Sequence, residues 1–306
     1  MSKVVAEGRT EVVKTSELGV GLANRSVDRV DCSVVVEGDI ESGASVDIKG
    51  TLIVKGSIVS AKVKCSGDLE VKGGVITGKR GFVKVGGNAT MGFVENSVIQ
   101  VRKSLIVQRS ITHSWVIAGG LIEVRDEAKG LILGGLLSSW QAIVCRNFGA
   151  DQGHTTQCRI GSHYQDEIRL QRLSQRIKRF QEASEENHRS IALFEKPGCV
   201  LSPEQSRHYE YIKKNAHRYQ KIIAKLRESR SKVEGSVVYN QDATLIVSGI
   251  LDKNTLNWIA GKKIPIPTSV RGVLVSPFVS KGILDLNDVQ GFIRTHPYAI
   301  VRHTKG

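Results

Sequence analysis

One stretch near the middle of the chain brings together side chains that could bind a metal ion. The letters "HTTQCRIGSH" place His154, Cys158 and His163 within ten residues, and Asp166 follows shortly after. Imidazole nitrogens, thiolates and carboxylates are the ligands that zinc takes in proteins. Their spacing matches no standard zinc motif, and His163 falls where the pattern predicts the start of a helix. We therefore predict packed or surface side chains here and no metal site.

Three carboxylates are candidates for general acid or base chemistry. Asp39, Asp47 and Asp68 lie in glycine-rich, turn-like sequence. Polysaccharide-cleaving enzymes on repetitive β scaffolds need clustered carboxylates, or a calcium site with a base, on one face. No second acid recurs at a fixed offset in this sequence, and short acids are common in turns. We interpret all three as turn residues.

The sequence motifs of the large enzyme classes are missing from the chain. It has no phosphate-binding loop, no GxSxG and no HExxH. His113, close to Trp115, is interpreted as an outward-facing side chain. We therefore predict no catalytic, cofactor-binding or metal-binding residues, and a protein that is not an enzyme.

A repeat in the first half of the chain defines the elements that would position any site. Its units begin 17, 20, 16 and 17 residues apart. Within each unit the apolar residues lie two apart, as Leu52 and Val54 do, which is the periodicity of a strand. The units are "GTLIVKG" (50–56), "GDLEVKG" (67–73), "GNATMGF" (87–93), "KSLIVQR" (103–109) and "GLIEVRD" (120–126).

This period favours a parallel β-helix. A strand plus a crossover helix needs roughly 30 residues, whereas a shorter repeat fits one coil of a solenoid. Parallel crossovers are overwhelmingly right-handed, so we expect a right-handed coil. Antiparallel hairpins in a β-sandwich are the alternative, but the near-constant spacing and the lack of Asn-Gly or Asp-Gly turns argue against them.

From residue 162 the pattern changes to two helices. Spacings of four and three define a coiled-coil seam in each, the first helix stops at "KPG" (196–198), and "SPEQ" (202–205) is a capping box that starts the second. Polar Ser184 and Asn187 would weaken the middle of the seam or accommodate something there. The seam residues are Leu173, Ile177, Phe180, Ser184, Asn187, Ile191 and Phe194, then Gln205, Tyr209, Ile212, Ala216, Tyr219, Ile223 and Leu226.

The β motif returns after the helices, in "ATLIVSG" (243–249). The predicted fold is therefore mainly β: a right-handed parallel β-helix (solenoid) with an inserted antiparallel α-helical coiled-coil hairpin. The predicted domains are an N-terminal cap or linker (1–30), the β-helix (31–161), the hairpin (162–233), the β-helix continuation (234–262) and a C-terminal cap (263–306).

The hairpin is strongly basic within a basic chain. The sequence has a formal charge of +14 and a pI near 9.6, and residues 166–233 hold 16 Lys and Arg against 9 Asp and Glu. These charges are either the solvated exterior of a coiled coil or a docking face for an acidic protein partner. The predicted docking residues are Arg172, Arg176, Arg179, Lys213, Lys214, Arg218 and Lys221.

Two other kinds of association also fit the sequence. Single-stranded nucleic acid binds to basic residues mixed with aromatic ones, and the hairpin offers Tyr209, Tyr211 and Tyr219; seam packing explains the first and the third. Nucleic acid or an anionic membrane is therefore the second partner class. A homo-oligomer is the third, because an uncapped β-helix can stack end to end into a filament.

The cysteines and the apolar pattern indicate a cytoplasmic protein. Five cysteines are scattered without a CxxC pair, as expected of reduced thiols. No run approaches the roughly 18 apolar residues that span a bilayer, and the N-terminus has no apolar signal core. The cysteines are Cys32, Cys65, Cys145, Cys158 and Cys199.

Four segments resemble the flagellar assembly protein A (FapA) family. They cover about residues 31–260, and the order of "FVENS", the "GG" corner, the Thr-rich stretch and the helices is their most specific feature. The segments are "VEGDIESGASVDIKGTLIVKGSI" (36–58), "CSGDLEVKGGV" (65–75), "GFVENSVIQVRKSLIVQRSITHSWVIAGG" (92–120) and "FGADQGHTTQCRIGSHYQ" (148–165).

The resemblance implies a bacterial, non-enzymatic scaffold in flagellar assembly or its regulation, with flagellar or cell-pole proteins as partners. Family members commonly carry a domain ahead of the β-helix, for which this sequence offers only about 30 residues. The last 45 residues match no pattern of the family, and we interpret them as a cap over the end of the solenoid.

Overall fold

A computed structural model describes residues 10–13, 28–30, 32–150, 155–195, 201–275 and 283–285. The chain divides into two compact units, the larger formed by residues up to Tyr164 and from Tyr239, and the smaller by Gln165–Val238. The larger unit is a β-solenoid, which confirms the predicted fold class. Its strands form three parallel ladders, so each coil has three sides.

Successive coils add one strand to each ladder. The first side contains β1 (Thr10–Val13), β3 (Ser33–Val36), β5 (Leu52–Val54), the start of β8 (Leu69–Ile76), the start of β10 (Ala89–Glu95), β12 (Leu105–Val107), β14 (Ile122–Val124), β16 (Ala142–Cys145) and the start of β19 (Thr244–Leu251). The second contains β6 (Ile58–Val59), the ends of β8, β10 and β19, the starts of β13 (Ser110–Ala118) and β15 (Leu131–Ser139), and β17 (Asn147–Phe148).

The third side completes the coil. It contains β2 (Asp28–Val30), β4 (Ser45–Ile48), β7 (Lys62–Cys65), β9 (Phe82–Val85), β11 (Val98–Val101), the ends of β13 and β15, β18 (Thr156–Ile160) and β20 (Thr255–Ile259). All these pairings are parallel. The right-handed sense of the coil stays a prediction, based on the preference of parallel crossovers.

The core of the solenoid is a set of stacked apolar ladders. Every second residue of a strand points inward, and the predicted pair Leu52 and Val54 is completely buried. Burial of one such side chain contributes roughly 1.5–3 kcal/mol to stability, and stacking repeats this gain in each coil. One inward ladder runs through Leu52, Leu69, Ala89, Leu105, Ile122, Ile143 and Leu245.

The candidate carboxylates lie on corners and on an outer face of the solenoid. The Asp39 Oδ1 atom accepts a hydrogen bond from the backbone N–H of Ser57 at 2.6 Å. Asp68 Oδ1 accepts one from the backbone N–H of Asn88 at 2.7 Å. Asp47 lies on β4, with one carboxylate oxygen 3.8 Å from Lys64 Nζ. Asp39 and Asp68 therefore join one corner to the next, as expected for turn residues, whereas Asp47 is a strand residue.

Antiparallel strands cover the last coil. The strand β21 (Lys262–Ile264) pairs with β20, β22 (Val270–Val275) pairs with β19, and β23 (Ile283–Asp285) pairs with β22. These three strands pair antiparallel, so the parallel ladders of the coils do not continue past them. The remaining parts of the predicted N-terminal and C-terminal caps lie outside the described residues.

The helices leave the solenoid at a corner between its third and first sides. Gly161, with a φ of +96°, accepts a hydrogen bond at its carbonyl from the Asn240 amide at 2.7 Å. Ser162 forms an antiparallel bridge with Tyr239. The two ends of the insertion are thus held side by side, so the coil closes as if the insertion were a short loop. The helices are α1 (Tyr164–Phe194) and α2 (Pro203–Ser236).

Candidate docking face of the helical hairpin

The two helices pack against each other along the predicted seam. Phe180 contacts Tyr219 with ring centroids 5.6 Å apart, and further along α1 Phe194 contacts Tyr209 at 6.0 Å. Because higher numbers on α1 meet lower numbers on α2, the hairpin is antiparallel. Its apolar cluster contains Ile177, Ile223 and Leu226, with Leu173, Phe180 and Ile222 packed against it.

The second helix begins at the predicted capping box. The Ser202 hydroxyl accepts a hydrogen bond from the backbone N–H of Gln205 at 3.2 Å. The side-chain oxygen of Gln205 accepts one from the backbone N–H of Ser202 at 2.9 Å. Pro203 occupies the first turn, where its missing N–H costs nothing. The box defines where α2 starts.

A groove of about 510 Å³ lies beside Ser184, one of the two polar residues of the predicted seam. Ser184 is buried there, and its carbonyl oxygen lies 2.6 Å from Nδ1 of His188. The small side chain of Ser184 leaves space that a larger apolar residue would fill. The groove is lined by Gln181, Ser184, Glu185, His188, Arg189, Gln220, Ile223, Ala224 and Arg227.

All seven predicted docking residues are exposed, and six of them form two straight rows. Residues spaced four and three apart lie on one face of a helix. Arg172, Arg176 and Arg179 have this spacing on α1, and we call them the α1 basic row. Lys214, Arg218 and Lys221 have it on α2, and we call them the α2 basic row.

Lys213 is engaged differently from the other six. Its ammonium group lies 5.3 Å from the centre of the Tyr209 ring and 3.5 Å from the Tyr209 hydroxyl. The hydrogen bond to Tyr209 raises the pKa of Lys213, and a hydrogen bond to Glu195 raises the pKa of Tyr209. The structure therefore places Lys213 in a local contact at the seam and not in either row.

The rows are charged but not neutralised within the hairpin. Its ion pairs join Lys178 to Glu182, Arg189 to Glu185, Arg230 to Glu234 and Lys232 to Glu228. Among the described residues, no carboxylate oxygen lies within 4.0 Å of a cation in either row. Like charges on one face repel each other, so each row favours contact with an anionic surface.

Sequence reasoning missed three residues that extend these rows. Arg169 continues the α1 basic row three residues before Arg172, and Arg207 and Lys225 continue the α2 row at its two ends. All three are exposed. The spacing of four and three that defines the seam also identifies these outer positions, so the signal was present in the sequence.

The chain matches one protein family over most of its length. The family is described as "Flagellar Assembly Protein A beta solenoid domain", and the match covers residues 20–270. This chain belongs to the FapA family. The matched range contains the described solenoid coils from β2 to β20 and the inserted hairpin. Comparison with curated proteins and with solved structures gives no match.

Family membership suggests a role related to flagellar assembly for this FapA-family chain. It confirms the predicted resemblance and agrees with the fold. Within the described ranges, neither helix combines the length and the apolar composition that crossing a membrane requires.

Among the described residues that could bind zinc, Cys158 and His163 have separate surroundings. Cys158 points into the core of the solenoid, where its sulfur lies 3.2 Å from the Asn257 side-chain oxygen. His163 packs edge-on against the Trp140 ring, with centroids 5.6 Å apart. His154 lies outside the described residues. Throughout the part of the chain that is described, no cluster of three or more metal-ligating residues is present.

The described cysteines of this FapA-family chain form no disulfide with one another, and they differ in burial. Burial raises the pKa of Cys65 to about 11, and burial also raises the pKa of Cys145 and Cys158. Because the thiolate is the reactive form, these three side chains are poor nucleophiles near neutral pH. They contribute to packing in the core.

Proposed function

We propose that this chain is a non-enzymatic, cytoplasmic scaffold or adaptor in flagellar assembly or its regulation, and that the hairpin holds an acidic protein partner. Flagellar or cell-pole proteins are the expected partners. The solenoid supplies a rigid support, since its core ladders run from coil to coil and hydrogen bonds such as those of Asp39 and Asp68 join neighbouring corners. Family membership supports the link to flagella.

The observation that carries this proposal is the pair of unneutralised basic rows. Arg172, Arg176 and Arg179 are exposed, and no described carboxylate lies within ion-pair distance of them, although α1 and α2 contain other ion pairs. Exposed ion pairs within one chain contribute little to stability. Charges on an interface instead accelerate encounter and select partners of opposite sign.

The test is reversal of the α1 basic row. The variant carries Arg172→Glu, Arg176→Glu and Arg179→Glu in the full chain. We expect it to lose flagellar proteins in affinity capture from its source bacterium by about tenfold or more, with the melting temperature unchanged. The same substitutions in the chromosome should reduce motility.

A control with the same change in charge is available on the same hairpin. Lys178→Glu, Arg189→Glu and Lys232→Glu reverse three cations that already have acidic partners at 3.8, 4.0 and 2.7 Å. This control should capture the same proteins as the wild type. Equal capture by the wild type and the α1-row variant would show that the row is only a solvated face.

A further inference from the structure

The α2 basic row belongs to a longer row that contains an aromatic residue. Arg207, Tyr211, Lys214, Arg218, Lys221 and Lys225 follow one another at spacings of four and three, and we call them the basic–aromatic row. At 1.5 Å per residue the row is roughly 27 Å long. All six side chains are exposed. Among the described residues, none of its five cations has a carboxylate within 4.0 Å.

Tyr211 differs from the two other tyrosines of α2. Tyr209 and Tyr219 pack against Phe194 and Phe180 at the seam, which confirms that packing explains them. Tyr211 is 64% exposed. On the helix its position lies between cations one turn before it and one turn after it, at Arg207 and Lys214. Seam packing therefore gives no reason for an aromatic residue at this position.

We propose that the basic–aromatic row binds single-stranded nucleic acid. Its cations would contact successive phosphates along the strand, and the Tyr211 ring would stack on one unpaired base. Flexible single strands are bound in this way, by basic grooves that carry exposed aromatic rings. The activity goes beyond the proposed docking of an acidic protein. It gives the α2 basic row a second ligand, whereas the docking is tested through the α1 basic row.

The composition of the row favours a single strand over other anions. A duplex keeps its bases stacked, so it offers no base to Tyr211. A membrane surface binds helices with a broad apolar face, whereas Tyr211 is the single aromatic residue among five cations. An acidic polypeptide would pair with the cations but would gain nothing specific from the ring.

The experiment measures the fluorescence anisotropy of labelled oligouridylate and oligothymidylate with the full chain. Tyr211→Ala should weaken binding of the single strands by about tenfold, because stacking on one aromatic ring has an effect of that order. Tyr211→Phe keeps the ring and should bind like the wild type. Because Tyr211 is exposed, neither substitution should change the melting temperature. The ratio of the two affinities identifies RNA or DNA as the preferred strand.

The salt dependence tests the phosphate contacts. Lys214→Ala and Lys221→Ala should each lower the slope of log affinity against log salt by about 0.7, the value for one phosphate contact with a single strand. Lys178→Ala is the control, because it removes an exposed cation outside the row that already pairs with Glu182. This control should leave the slope unchanged.

Two results would overturn the inference. The first is duplex or polyglutamate binding as tight as single-strand binding, with no effect of Tyr211→Ala on any of them. The second is the absence of single-strand binding at low salt. Either result leaves the proposed function intact, because the capture of flagellar proteins is tested separately through the α1 basic row.

Discussion

The Phe93 ring lies against Gly74 of the preceding coil, in the space that a Cβ atom on residue 74 would occupy. The Arg109 guanidinium lies 4.6 Å from the centre of the same ring. An aromatic side chain can cover the backbone of a glycine on a neighbouring strand in this way. Gly74 is therefore required by a contact between coils.

Gly74→Ala should destabilise the solenoid by about 1–3 kcal/mol, the usual cost of overpacking. The added methyl group forces the Phe93 ring away from the sheet. Thermal unfolding followed by circular dichroism provides the measurement. The control is Gly235→Ala in α2, where a Cβ would meet nothing within 4 Å; alanine should stabilise that helix by about 0.5–1 kcal/mol. An unchanged melting temperature for Gly74→Ala would mean that Phe93 can move at no cost.

Asp68→Ala should reduce stability by about 0.5–1.5 kcal/mol, because it removes the acceptor for the Asn88 amide. Asp68→Asn keeps an acceptor oxygen and should lose much less. Urea unfolding of the two variants compares these effects. Equal losses in both variants would indicate that the negative charge matters, and not the hydrogen bond at the corner.

The stability of the solenoid should depend on pH through Cys65. Burial raises its pKa from the usual value of 9.0 to about 11 in the folded chain. The unfolded chain therefore loses this proton at a lower pH than the folded chain. The stabilisation associated with the neutral thiol is complete below pH 9, and it is lost as the pH rises through about 11.

The measurement is the melting temperature between pH 8 and pH 11 for the wild type and for Cys65→Ala. Titration of lysines and tyrosines affects both proteins, so their difference isolates the thiol. The wild type should lose more stability than Cys65→Ala across the window from 9.0 to about 11. Parallel curves for the two proteins would contradict the assignment of a raised pKa to Cys65.

Much of the architecture was predictable because it depends on local periodicity. Strands repeat every second residue and helices every three or four, so Leu52 and Val54, or Ile177 and Phe180, reveal their elements without knowledge of any distant residue. The return of the β motif after the helices was enough to identify an insertion. The seam also predicted that Tyr209 and Tyr219 pack.

The partners of individual side chains were decided only by the tertiary structure. Cys158 faces Asn257 across 99 positions of sequence, and Asp39 and Asp68 find their hydrogen-bond donors one coil away. Lys213 and Lys214 are neighbours in sequence, yet one contacts Tyr209 and the other lies in an exposed row. Local spacing defines which face a residue occupies. The groups opposite that face belong to distant parts of the chain, and the sequence alone does not bring them together.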